Sequence, residues 1–211
     1  PRDLAVFGAV IVLLGIGGLA LRAKVLEPYQ VTSSSMLPTF EAGDRLVGRK
    51  VTYAPGGRLP AAGDIVAFRS AAVDVSRRET LPAVLLKRVI GLPGDHVEMS
   101  NGVPVVNGWT VPICNVGSYM YIVPDGSGAL LQGMLTVEFL GDHSYLTVRG
   151  ASMPGLDGEY VVQPGEVFVL GDNRTNSVDS RSYGGGRGGG VPLPAVEARV
   201  DRFLVGTDRS G

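Results

Sequence analysis

Ser35 and Lys87, which are 52 positions apart in the sequence, could together form a nucleophilic site. A serine hydroxyl becomes a useful nucleophile when a nearby base takes its proton, and a lysine can be that base only in its neutral form. Burial favours the neutral amine, because desolvation lowers a lysine pKa. Lys87 follows the apolar residues 83–86 and precedes Val89 and Ile90, a pattern typical of a buried strand. The sequence therefore predicts a serine nucleophile served by a lysine base.

A histidine base is the principal alternative, as in a Ser/His/Asp triad. Only His96 and His143 are available, and each adjoins a Gly-Asp turn, where we expect a solvated side chain rather than a buried and tuned one. A Ser-x-x-Lys motif is absent, because Ser35 is followed by Met-Leu-Pro. One cysteine and two distant histidines leave no zinc-type spacing, so no metal is predicted. The lysine base remains the preferred interpretation.

The elements that must position these groups are expected to be strands, since glycine (31) and proline (14) are frequent and the apolar runs are short. The pattern predicts a mainly β fold, with core strands over 25–33, 45–52, 64–69, 83–90, 166–170 and 196–204. Shorter strands are predicted over 104–106, 135–140 and 145–148. We therefore expect a catalytic β core, residues 25–95 and 164–211, interrupted by a smaller β subdomain over 96–163.

The first 24 residues contain a long apolar segment, unlike the rest of the chain. Residues 4–21 carry no charge and would span about 27 Å as a helix, close to a bilayer core of about 30 Å. They predict an N-terminal transmembrane anchor, with a cleaved secretory signal or a buried soluble helix as alternatives. Taken alone, Arg22 and Lys24 would place the following domain on the cytoplasmic side.

Composition narrows the possible partners. Lys and Arg (19) balance Asp and Glu (20), and no basic patch with interleaved aromatic residues is present, which excludes a typical nucleic-acid surface. The single cysteine, Cys114, cannot form an intramolecular disulfide and is expected to be a small packed residue.

Four motifs in this order resemble those of bacterial type I signal peptidases, the Ser–Lys dyad family of serine proteases. They are SSSMLPT at 33–39, GDIVAF at 63–68, KRVIGLPGD at 87–95 and GDNRTNSVDSR at 171–181. Any one motif could arise by chance, but all four with an N-terminal apolar segment are a specific signal. The resemblance covers residues 4–95 and 160–183 well. It departs at 184–190, where six glycines surround an arginine.

The resemblance implies roles for further residues around the dyad. The Ser33 hydroxyl would help to hold the oxyanion together with the backbone N–H of Ser35, and such a donor is worth about 3–4 kcal/mol when removed. Ser177 would hydrogen-bond and orient the Lys87 amine. The alternative for Ser33 is a serine that satisfies a turn.

Within the last motif, the resemblance implies that Asp179 and Arg181 form an ion pair that supports the loop. Gly171 and Asp172 would line the site from below. An exposed run of Asx-turns is the alternative, and it accounts for Asp172 and Asn173 but not for the whole pattern.

The resemblance also implies a substrate strand lying between residues 29–33 and 84–86, since an extended peptide can add to a strand edge by main-chain hydrogen bonds. Shallow apolar pockets would accept alanine at the first and third residues before the cleaved bond, and larger side chains would overpack them. Plain core packing is the alternative for the predicted pocket residues, which are Tyr29, Val31, Met36, Phe40, Ala67 and Leu86.

Together these features predict a membrane-bound serine endopeptidase that removes N-terminal signal peptides from exported preproteins without a cofactor. Its partners would be preproteins with small residues before the cleavage site, and membrane lipid. The resemblance implies a single-pass protein of the bacterial cytoplasmic membrane with its catalytic domain on the extracytoplasmic side. The alternatives are a specialised processing peptidase, for example one that matures a pilin, and a non-catalytic, membrane-tethered β module.

Overall fold

The computed structural model describes residues 25–75, 81–122, 128–150 and 158–205. The predicted anchor, residues 1–24, lies outside these ranges. Among the residues inside them, no helix is long and apolar enough to span a membrane.

Strands dominate the described part of the chain, and the predicted mainly β fold is confirmed. The fourteen strands formed by the described residues are β1 Leu26–Gln30, β2 Arg45–Lys50, β3 Ile65–Arg69, β4 Val84–Gly91, β5 His96–Ser100, β6 Val103–Val106, β7 Trp109–Thr110, β8 Ile113–Ile122, β9 Leu130–Leu140, β10 His143–Arg149, β11 Gly158–Val161, β12 Glu166–Leu170, β13 Val191–Pro192 and β14 Val196–Val205. Short helical turns occur at Ser70–Ala72, Tyr183–Gly186 and Leu193–Ala195.

The main sheet contains seven strands in the order β1-β2-β14-β3-β4-β12-β13, and its neighbouring strands are antiparallel. β4 lies inside this sheet between β3 and β12. Its apolar run explains that position, because a strand buried on both faces needs little polar alternation. In the β3–β4 register, Val66 lies opposite Lys87 and Ala67 lies opposite Leu86. Lys87 therefore lies on an interior strand that is paired on both sides.

Two smaller sheets are built from the residues between β4 and β12. One has the order β10-β9-β8, and the other has the order β11-β5-β6-β7. They share a hydrophobic core with the main sheet, in which Ile90 and Phe168 belong to the same buried cluster as Val97, Leu140 and Tyr145. The smaller sheets are thus packed directly onto the strands that carry the site.

Three local expectations were wrong. The strand predicted over 25–33 ends at Gln30, although Val31 still exchanges two backbone hydrogen bonds with Gly43 and Asp44, and the chain then turns. β8 was missed because Gly117 lies at a bulge that interrupts its alternation. Cys114 is exposed rather than packed, because β8 is an edge strand with little against it.

Candidate active site

The turn that follows β1 carries Ser35 and is fixed from two sides. Within the turn, the Leu37 amide donates to the Ser34 carbonyl at 3.2 Å. From the last motif, the Asn173 amide donates to the Ser35 carbonyl at 3.1 Å, and its side-chain amide donates to the Ser34 carbonyl at 3.2 Å. Asn176 also donates to the Ser34 hydroxyl at 2.9 Å. Ser34, expected to be only a spacer, is thus a buried anchor of the turn.

Lys87 reaches this turn from β4. Its Nζ atom donates to the Ser35 hydroxyl at 2.7 Å and to the Leu86 carbonyl at 3.0 Å. The side chain is only 1% exposed, and this burial lowers the lysine pKa to about 8, although the carboxylates of Asp179 and Asp172 act in the opposite direction. Burial therefore makes the neutral amine more accessible than in a solvated lysine, as a lysine base requires.

Ser33 lies beside the same hydroxyl. The Oγ atoms of Ser33 and Ser35 are 3.1 Å apart, so a chain of polar groups runs from Ser33 through Ser35 to Lys87. A donor beside the nucleophile can stabilise negative charge that develops there. The structure therefore brings together all three residues predicted for the chemical step.

The predicted hydrogen bond between Ser177 and the Lys87 amine is not formed. The Ser177 hydroxyl is buried beside the Asp179 carboxylate and helps to lower its pKa, whereas Lys87 donates to Ser35 and Leu86. Ser177 packs instead against Gly171, where an added Cβ would lie 2.2 Å from the Ser177 Oγ and 2.5 Å from the Ser35 carbonyl. Gly171 thus permits the last motif to approach the serine turn.

Asp179 and Arg181 form the predicted ion pair, with two parallel hydrogen bonds of 2.8 Å. Both side chains are buried, and the Gly171 amide also donates to Asp179 at 3.0 Å. Burial alone would raise the Asp179 pKa, but the Arg181 guanidinium and the Gly171 amide hold that pKa below its usual value. Asp179 is therefore a stable carboxylate that fixes the loop beneath Lys87.

Asp172 has partners that the sequence did not reveal. Its carboxylate accepts two hydrogen bonds from Arg88, at 2.8 and 2.7 Å, and one from the Thr39 hydroxyl at 2.5 Å. The Arg88 guanidinium also lies 3.9 Å from the centre of the Tyr145 ring. Asp172 thus connects the serine motif to β4 and does not contact Ser35 or Lys87 through any hydrogen bond of the described residues.

A third buried ion pair joins Arg174 to Glu138 at 2.5 Å, and both side chains are fully buried. Arg174 belongs to the last motif, whereas Glu138 lies on β9 of the smaller sheet. No local signal in the sequence links the two, since Glu138 occurs in an ordinary alternating strand.

The predicted pocket residues gather near the serine turn. Val31, Met36 and Phe40 form one buried apolar cluster, against which Tyr29 and Leu86 are partly buried. Ala67 is buried opposite Leu86 in the sheet register. Three further residues that were not predicted belong to the cluster or pack against it: Leu46, Ile65 and Val200. Strand alternation could have found Ile65, because it precedes Ala67 by two positions on β3.

The two histidines lie elsewhere. His96 is partly exposed and pairs with Glu159 at 3.4 Å, and His143 is exposed as the first residue of β10. The hydrogen bonds found among the described side chains connect the Ser35 hydroxyl to Ser33 and Lys87.

Comparison with known proteins places this chain in a family. A model of signal peptidases, peptidase S26, matches residues 3–204. The probable signal peptidase I-1 of Synechocystis sp. is 34% identical over 166 residues, which cover 79% of this chain and 67% of the relative. The signal peptidase I of Bacillus caldolyticus is 34% identical over 166 residues, which cover 78% of this chain and 74% of the relative. The chain belongs to the signal peptidase family, peptidase S26.

A crystal structure of a signal peptidase I from Enterococcus faecalis is also similar. It shares 24% sequence identity with this chain, covers 68% of it and 98% of the crystallised chain, and aligns with a TM-score of 0.37.

Proposed function

We propose that this member of the signal peptidase family is a membrane-bound serine endopeptidase that removes signal peptides from exported preproteins by a Ser–Lys dyad. The observation that carries the proposal is the 2.7 Å contact between the Lys87 amine and the Ser35 hydroxyl, made by a lysine that is almost fully buried. The relatives support it, because both carry the name signal peptidase I.

In the first chemical step, neutral Lys87 takes the proton of the Ser35 hydroxyl, and the resulting alkoxide attacks the carbonyl carbon of the scissile bond. The Ser33 hydroxyl and the Ser35 amide stabilise the oxyanion of the tetrahedral intermediate. The Lys87 ammonium then gives its proton to the leaving amine, which departs as the new N-terminus of the mature protein. An acyl-enzyme on Ser35 remains.

In the second step, Lys87 is neutral again and takes a proton from water, which attacks the acyl carbon. Collapse of the second tetrahedral intermediate breaks the ester bond, and the proton on Lys87 returns to Ser35. The signal peptide leaves with a free carboxylate, and both residues regain their initial state.

The substrate would bind as an extended strand between residues 29–33 and 84–86. Its first and third residues before the cleaved bond would face the apolar cluster around Val31, Met36 and Leu86. Because this cluster is already closely packed, small side chains fit and large ones require costly shifts. Alanine at both positions is the expected preference.

The proposed location follows from the predicted anchor at residues 1–24. A single span in the bacterial cytoplasmic membrane, with the catalytic domain on the extracytoplasmic side, would hold the dyad where signal peptides emerge. Membrane lipid would then be a permanent partner of the anchor.

The proposal can be tested by incubating the purified full chain in lipid vesicles with a preprotein that has alanine at the first and third positions. Ser35→Ala and Lys87→Ala should each abolish cleavage, and the double variant should be no worse than either single variant, because the two residues act as one unit. Ser118→Ala, an exposed serine on β8, is the matched control and should cleave normally.

Acylation by an active-site-directed reagent separates an enzyme from a non-catalytic module. Mass spectrometry should find the adduct on Ser35 in the wild-type chain and none in Ser35→Ala. If either single variant keeps near-normal turnover, or if the wild-type chain is neither acylated nor active, the dyad assignment is wrong.

A further inference from the structure

A cavity of about 310 Å³ lies on the main sheet beyond the apolar cluster. It is on the same face of the sheet as that cluster, because residues an even number of positions apart on a strand point to the same side. Lys50 follows Leu46 by four residues on β2, and Arg69 follows Ala67 by two on β3. The lining residues are Glu27, Tyr29, Lys50, Arg69 and Glu197. The floor of the proposed substrate groove therefore changes from apolar to charged with distance from the dyad.

The charges around the cavity are paired. Lys50 and Glu27 are 2.7 Å apart, and Arg69 donates a hydrogen bond to Glu197. Two cations thus face two carboxylates, and the cavity has no net charge. Such walls can bind a polar group by hydrogen bonds without requiring that the group carry a charge.

Tyr29 lies at the boundary between the two parts of the floor. Its ring occupies space left by Gly48, where an added Cβ would lie only 2.8 Å from the ring carbon Cε2. The Tyr29 hydroxyl is buried and has no hydrogen-bond partner among the described residues. Burial, together with the charges of Glu197 and Glu27, raises the Tyr29 pKa to about 12, so the hydroxyl keeps its proton and can donate. A buried donor without a partner is costly unless a ligand satisfies it.

The sheet register indicates which substrate residue reaches this cavity. Lys87 is level with Val66, and Val84 is level with Arg69, so the cavity begins about three residues, or about 10 Å, from the dyad. In an extended substrate, residues one, three and five before the cleaved bond share one face. With the first and third residues over the apolar cluster, the fifth lies about 13 Å from the scissile carbonyl and faces the cavity.

We propose that this cavity is a substrate subsite that accepts an uncharged polar side chain, a carboxamide or a hydroxyl, at the fifth residue before the cleaved bond. The Tyr29 hydroxyl donates to the oxygen of that side chain, and the ion pairs supply further donors and acceptors. An aliphatic side chain of equal size removes water from Lys50 and Glu27 without replacing its hydrogen bonds, and so binds less well. This inference rests on the proposed function, because it requires that the chain cleaves peptides in this groove.

The test compares cleavage of matched peptides that have alanine at the first and third positions. One pair carries Gln or Met at the fifth position, and a second pair carries Gln or Met at the fourth, whose side chain points away from the floor. We expect kcat/KM to favour Gln over Met by about tenfold or more at the fifth position and by less than about twofold at the fourth.

Variants then identify the source of the preference. Tyr29→Phe and Lys50→Met should each reduce the Gln-to-Met ratio at the fifth position toward one. Arg49→Met, the adjacent exposed residue on the opposite face of β2, should leave the ratio unchanged. Because the ratio is measured within one enzyme preparation, a partial loss of folded protein does not alter it.

Three results would overturn the subsite. These are equal cleavage of the two fifth-position peptides, an equal preference at the fourth position, and a preference that survives both Tyr29→Phe and Lys50→Met. If the wild-type chain cleaves no peptide with alanine at the first and third positions, the proposed function itself is wrong and the subsite is rejected with it.

Discussion

Lys87 and Arg88 are neighbours on β4, yet their surroundings differ on the two faces of that strand. Both are buried, with exposed fractions of 1% and 5%. Lys87 contacts a hydroxyl and a carbonyl, whereas Arg88 makes two hydrogen bonds to the carboxylate of Asp172 and one to the Gly63 carbonyl. Arg88 is therefore hydrogen-bonded directly to a carboxylate, whereas Lys87 is not.

The difference decides what each residue can do. Removing a cation from water costs several kcal/mol, and a bidentate carboxylate offsets that cost for a guanidinium, which stays charged in any case. A lysine without such a partner reduces the cost by releasing its proton. Pairing with Asp172 therefore keeps Arg88 a structural cation, whereas the lack of a directly bonded carboxylate suits Lys87 to the base role proposed for it.

Replacing Lys87 with arginine should have the largest effect on turnover, and the matching variant is Arg88→Lys. Lys87→Arg places a guanidinium against Ser35 that cannot deprotonate, so kcat should fall on the order of 10⁴-fold or more even at high pH. Arg88→Lys keeps a charge beside Asp172 and should lower turnover far less. Peptide cleavage measured from pH 6 to 10 checks both. Activity in Lys87→Arg that recovers at high pH would contradict the base assignment.

Removing the counter-charge of Arg88 should have the next largest effect. Asp172→Asn leaves a buried guanidinium without its carboxylate, and the free energy of unfolding should fall by about 3–5 kcal/mol. Urea denaturation of this variant and of Asp142→Asn, a control in an exposed turn, measures the difference. A loss below about 1 kcal/mol would mean that the pair contributes little to the fold.

Ser33, the proposed oxyanion donor, lies beside the Ser35 hydroxyl that Lys87 also contacts. Ser33→Ala should lower kcat by about 100-fold with little change in KM, because the lost hydrogen bond strengthens only in the transition state. Ser33→Thr keeps a hydroxyl and should recover part of the rate. Steady-state kinetics on the alanine-containing peptide test this. A rise in KM alone would show that Ser33 only shapes the groove.

The pH dependence should give the smallest and most specific effect. Lys87 must be neutral to act, so activity should rise with pH on a limb near pH 8, the value to which burial lowers its pKa. The Asp179 carboxylate raises that pKa, so Asp179→Asn should move the limb to lower pH. The pH profile of kcat/KM measures both values. A limb that moves upward, or that disappears in His96→Gln or His143→Gln, would contradict the assignment.

The sequence predicted the elements better than it predicted the contacts of buried polar groups. The apolar run around Lys87 required a buried strand, and β4 is that strand. Asp179 and Arg181 lie two residues apart within one motif, and they form the ion pair that the family resemblance implied. The partners of Arg88 and Arg174 lie 84 and 36 residues away, and only the packing of β9 and the last motif brings them together. Ser177 shows the converse, since the family resemblance implied a hydrogen bond to the Lys87 amine, whereas Lys87 donates to Ser35 and Leu86.

The bridge between Val148 and Asn173 has a consequence for engineering this protein. Val148 on β10 accepts a hydrogen bond from the Arg174 amide and donates one to the Asp172 carbonyl, and the intervening Asn173 holds the Ser35 carbonyl. Deleting the smaller sheets would remove the hydrogen-bond partners of the Arg174 amide and the Asp172 carbonyl. It would also leave the Arg174 guanidinium without the Glu138 carboxylate. A minimal catalytic version of this enzyme therefore has to retain β9 and β10, and swapping these strands between relatives would require the last motif to be transferred with them.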